Sequence, residues 1–219
     1  MYTRLRGATL VLTAAVLVLA PATVDAQNNP VHAHIGHAAD AFRGTPDGMG
    51  LLPTAVAEAE VAHQHATLAG RDPSSLEGMQ RHMDHVIHAL DPSEVESGPG
   101  LGYGVVAAAE GAARHTQLAA ASAGASDGVK THAEHVATAA RHVGSLAAEA
   151  IELAEEIQDA EDAEAAAELL TQLTALTDAI LNGMDADADG RIGWQEGEGG
   201  LAQAATHMGL IKRAEGLGG

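Results

Sequence analysis

RHMDHVIHAL, residues 81–90, and THAEHVATAA, residues 131–140, decide how this chain is read. His82, His85 and His88 stand three apart in the first stretch, and His132 and His135 do so in the second. On an α-helix, residues i and i+3 lie on one face about 60° apart, so each pair can converge on one point. Helices that carry imidazole faces are therefore expected.

The two stretches belong to a longer repeat. Shifting the chain by 50 residues matches 48–90 to 98–140 without a gap, with 16 of 43 positions identical. Gly48, Gly50 and Leu51 meet Gly98, Gly100 and Leu101; Glu60 meets Glu110; His65, His82 and His85 meet His115, His132 and His135. Some of the agreement is alanine meeting alanine, but coincidence of all three histidines is not what composition alone supplies. Each copy reads as a helical hairpin. A first helix runs to about Leu68 or Leu118, a break follows at residues 70–73 or 123–126, and a second helix carries His-x-x-His-Val. Asp72 with Pro73 is expected to open the second helix of copy one, and Ser126 that of copy two. Two such hairpins make a four-helix bundle.

Composition agrees. Of 219 residues, 46% are apolar, and the aromatic residues are one Trp, two Tyr and one Phe. A core of small side chains in an alanine-rich chain favours closely packed helices over sheets. The chain has 13 His and no Cys, so disulfides and thiolate metal sites are excluded and any transition-metal ligands must be His, Asp, Glu or Met. The formal net charge of -19 repels nucleic acid and anionic lipid and draws cations.

MYTRLRG, followed by ATLVLTAAVLVLA and an A-x-A-like Val24-Asp25-Ala26, has the order of an export signal. The expected mature protein starts at Gln27 and is periplasmic or secreted, with no stable membrane anchor after cleavage. The expected organisation is a signal peptide at 1–26, a His-rich bundle at 27–145, an acidic Ala/Glu-rich helical connector at 146–168 that continues the fourth bundle helix through Leu146, Ala150, Ile151, Ala154 and Ile157, and a C-terminal segment at 169–219.

His65, His82, His85, His115, His132 and His135 are the candidate ligands, forming one site per hairpin or one shared site. His34 and His37, on a short helix ahead of the repeat, are additional candidates, as are His63 and His88, which lack repeat partners because Ala113 and Thr138 replace them. Glu60 and Glu110 sit five residues before His65 and His115, which suits partners of the ligands better than ligands. Neutral imidazole suits Zn, Cu, Ni and Fe. Bis-His haem b, with an imidazole from each of two facing helices, is the alternative. A third reading is a structural or interaction module whose histidines respond to acid. The duplicated positions hold no Glu-x-x-His pair, and the chain has no nucleophile elbow and no phosphate loop, so no enzymatic activity is expected.

DADADGRIGWQE, residues 185–196, follows an apolar helical face of Leu169, Leu170, Leu173, Leu176, Ile180 and Leu181. Over about residues 170–212 the chain resembles the EF-hand family. The resemblance implies Ca2+ held by Asp185, Asp187 and Asp189, the carbonyl of Arg191 and a bidentate Glu196, with Gly190 at the sharp turn. Gly197-Glu198-Gly199-Gly200 delays the exiting helix to about Leu201. Such loops ordinarily pair, so this single one points either to Ile192 packed on the bundle or to a partner: a second copy of the chain or another exported protein. The expected fold is thus all-α: a pseudo-duplicated four-helix bundle followed by a single EF-hand-like helix-loop-helix.

Overall fold

The computed structural model describes residues 29–218, so the export signal expected at 1–26 lies outside the described residues. Among the described residues there are seven α-helices, one short 3-10 turn and no strand. The helices are α1 (Pro30–Ala39), α2 (Leu51–Ala69), α3 (Leu76–Leu90), α4 (Val105–Ala121), α5 (Asp127–Asp159), α6 (Ala163–Asn182) and α7 (Leu201–Ala214). None is long and apolar enough to cross a membrane.

Side-chain caps start four of them. Asn29 accepts from the Val31 N–H (3.0 Å), Ser75 from Gly78 (3.1 Å), Ser126 from Val129 (3.2 Å) and Asp162 from Ala165 (2.9 Å), each satisfying a donor the helix cannot. Ser126 stands where the sequence places it. In the first hairpin the cap is Ser75, because the Asp72 carboxylate is turned onto the backbone and hydroxyl of Ser74 and closes a turn one step earlier.

Helices α2 to α5 pack as two hairpins side by side, and they bury the same register. Ala55, Glu58, Ala59, Ala62, Ala66 and Ala69 are buried in α2, and so are the residues fifty positions on in α4, Val105, Ala108, Ala109, Ala112, Thr116 and Ala119. Met79, Met83, Val86, Ile87, Ala89 and Leu90 of α3 correspond likewise to Val129, Ala133, Val136, Ala137, Ala139 and Ala140 of α5. Alanine on these faces lets the helix axes approach closely, and the few large groups, such as Met79, Met83 and Ile87, fill what remains.

The other helices surround this core: α1 lies on α4, α6 on α5 and α2, and α7 on α5. The acidic stretch after 145 continues the second helix of the second hairpin as far as Asp159. α5 runs unbroken for 33 residues and buries Leu146, Ala147, Ala150, Ala154 and Ile157 as it goes. Ala160, extended, ends it before the Asp162 cap of α6.

Glu58 is wholly buried in α2 and accepts the N–H groups of Leu101 (3.0 Å), Tyr103 (2.7 Å) and Gly104 (3.0 Å). Its carboxyl thereby organises the connection into α4, where Ala108 holds the equivalent place in the second hairpin.

Candidate metal centres

Nine of the thirteen histidines gather into three triads: His34, His37 and His115; His65, His82 and His85; and His132, His135 and His207. Each is built to one plan. A His-x-x-His pair on one helix faces a lone histidine on another, as α1 faces α4, α3 faces α2, and α5 faces α7.

The Nδ1 atoms do the converging. That of His115 lies 3.0 Å from His34 and 3.4 Å from His37; that of His65 lies 3.0 Å from His82 and 3.1 Å from His85; that of His207 lies 3.1 Å from His132 and 3.3 Å from His135. A ring nitrogen carries either one proton or one in-plane lone pair, so the lone histidine can make one good hydrogen bond and not two. Three ring nitrogens gathered this closely could instead share a cation. With metal–nitrogen bonds of about 2.0–2.1 Å, the edges between neighbouring ligand atoms are about 2.9–3.4 Å, the range in which the lone histidine of each triad lies from its two partners; all three ligand atoms of a triad lie within 4.8 Å of one another.

Electrostatics favour the neutral, ligating form of six of these rings. Burial lowers the pKa of His34, His65, His82, His115, His135 and His207, and the neighbouring imidazoles of each triad lower it further. Arg81 and Arg71 add to this at His82, and Arg114 does at His115, while Glu134 opposes it at His135. His207 is pushed down to about 4.

The remaining four histidines turn elsewhere. His63 Nδ1 is hydrogen-bonded with the Thr177 hydroxyl (3.1 Å), and buried His88 donates from Nδ1 to the Val95 carbonyl (2.7 Å), so neither of these sequence candidates joins a triad. His142 donates to the Gly199 carbonyl (3.0 Å), and His32 Nε2 meets the Glu215 carboxylate (3.0 Å).

The first hairpin assembles its site from its own two helices. In the second, His115 does not meet His132 and His135, because α1 docks on α4 and α7 on α5, and each imidazole face meets a helix from outside the repeat. His207 escaped sequence reasoning: it has neither a repeat partner nor a histidine three residues away. Glu60 and Glu110 were expected beside the ligands, yet among the described residues no hydrogen bond joins either to a triad imidazole. Glu60 borders the groove between α2 and α7, and Glu110 the groove between α4 and α5.

In the 185–196 loop, Asp185, Asp187 and Asp189 bring carboxylate oxygens within 4.8 Å of one another. Asp185 accepts from the N–H groups of Asp189 (3.0 Å) and Gly190 (2.9 Å), and Gly190 takes φ +86°, as the turn requires. Glu196 and Arg191 border the same cleft as Asp187 and Asp189, but Glu196 stands outside the converging set, and it is Glu198 that accepts the Gly193 N–H (2.8 Å). Ile192 is 41% exposed rather than packed on the bundle.

Two aromatic side chains complete the surroundings. Phe42 sits 5.5 Å from His37 and 5.3 Å from His115, ring centre to ring centre, and Trp194 stacks on His135 at 3.7 Å and 16°. No family model, curated protein or solved structure matches this chain.

Proposed function

We propose that this protein is an exported binder of transition metal ions, taking one ion at each of its three imidazole triads, with Ca2+ in the 185–196 loop. The observation that carries this reading is the convergence of three Nδ1 atoms in each of three separate places, at spacings suited to ligands of one ion. Zn, Cu, Ni and Fe all suit neutral imidazole. Haem fits less well, because the two axial nitrogens of a bis-His haem lie on opposite sides of the iron, whereas these nitrogens lie side by side. The calcium reading is supported by the twelve-residue pattern and the three converging carboxylates. Export is supported by the order of residues 1–26.

Three protein ligands leave a position open, unlike a closed structural site with four. An open position suits an ion that is taken up and handed on.

The test is elemental analysis with an absorption spectrum, on protein recovered after export from a haem-competent host without chelator or nickel affinity. Transition metal approaching three per chain, together with calcium, is the expected result. A Soret band moves the triads to haem. Calcium alone leaves the histidines to the pH-responsive reading.

A further inference from the structure

The chain owns one Phe and one Trp, and both lie against imidazole triads. Trp194 makes the closer contact. It is half-buried, its ring lies nearly parallel to that of His135, and it stands edge-on to His207 at 6.4 Å and 86°. It comes from the segment between α6 and α7, whose ends are tied where the Met184 N–H donates to the Glu198 carbonyl (2.9 Å).

That segment docks on α5 at three successive positions of one face. Trp194 covers His135; Gly199 lies so near Ala139 that an added Cβ would stand 2.8 Å from the alanine Cβ; and His142 donates to the Gly199 carbonyl (3.0 Å). Residues 135, 139 and 142 follow the helical spacing of 4 and 3, and His132 continues the row towards the α5/α7 centre. The loop therefore rests on the metal-facing surface of α5. A half-buried imidazole with one face open retains rotation about its side-chain bonds, and a stacked indole removes part of that freedom before an ion arrives.

We infer that Trp194 is a positioning residue of the α5/α7 centre: its stack on His135 holds that ring in the ligating orientation, so that this centre and the 183–200 loop form one binding unit distinct from the other two centres. The inference rests on the triads being metal sites. Its consequence is that the affinity of one centre of three depends on a residue that ligates nothing. The α2/α3 centre, with no Phe, Tyr or Trp among its ring contacts, serves as the internal comparison.

The experiment uses the full chain, with Zn2+ to count and rank sites and Cu2+ as a contact quencher of the single tryptophan. In the parent protein, three zinc ions bind and the first-bound copper at the α5/α7 centre quenches Trp194. Quenching is lost in His207→Ala and kept in His65→Ala. Trp194→Ala weakens one zinc site of three by about tenfold, and Trp194→Phe, which keeps a flat ring over His135, restores it to within about threefold. Helicity by circular dichroism, unchanged in both tryptophan variants, excludes a general folding defect. Three zinc sites of parental affinity in Trp194→Ala, or quenching that survives His207→Ala, overturns the positioning role alone. No zinc bound to the parent protein overturns the metal reading and this inference together.

Discussion

His85 and His88 are neighbours on one face of α3 and do different work. His85 aims Nδ1 at His65 (3.1 Å), whereas His88 spends its Nδ1 proton on the Val95 carbonyl and is buried beneath the chain that follows. His85→Ala is expected to remove one bound ion with little change in the stability of metal-free protein. His88→Ala is expected to leave the ion count intact and cost about 1–3 kcal/mol, because the Val95 carbonyl loses its donor and a cavity opens. Equilibrium zinc dialysis and urea unfolding of the two variants separate these outcomes. Spacing alone treats the two alike, since it reports which side of a helix a ring occupies and not what it meets there; the repeat is what ranks His85 above His88. His88 lacked a repeat partner, and that hint in favour of a structural role was legible.

At the scale of the element, α7 delivers His207 to the His132/His135 face of α5, and the cost of charging that ring in company is large. With a folded pKa of about 4 against an ordinary 6.5, His207 binds its proton more readily in the unfolded chain. The sign follows: stability of the metal-free protein is complete above about pH 6.5, falls as pH drops from there towards 4, and is flat with respect to this group below that. Thermal melts in EDTA across pH 3.5–8 are expected to show that fall, reduced in His207→Gln. Bound metal deepens the dependence, since the ligands must be deprotonated to bind. The helices were largely legible as elements because alanine-rich, periodic segments with Ser and Asp caps say where they start. The continuity of α5 past 145 was legible too, because Leu146, Ala150, Ala154 and Ile157 carry on the buried stripe while the switch to Glu-rich sequence changes only the solvent side; its end at Asp159 was not. A fragment ending at 145 would cut α5 within its buried stripe and discard His207.

For the whole molecule, the all-helical class followed from composition and period, but which helix supplies each third ligand is a property of packing between distant segments. The repeat led to two equivalent hairpins, and the buried registers of α2 to α5 do coincide. Equivalence stops at the surface, where α1 and α7 have no counterparts in the first hairpin. The three centres consequently span very different stretches of chain. His65 closes on its partners across 17 and 20 residues, whereas His115 does so across 81 and 78, and His207 across 75 and 72. Closing the longer loops in an unfolded chain costs about 1.4 kcal/mol more in entropy, before any requirement that α1 and α7 be docked. Refolding followed by stopped-flow circular dichroism is expected to accelerate with zinc in the parent and to lose most of that acceleration in His65→Ala, but not in His115→Ala or His207→Ala. If the triads hold metal, loading would have an order written into the contour of the chain: the α2/α3 ion could be captured by a nascent hairpin, while the other two could enter only once α1 and α7 have come home.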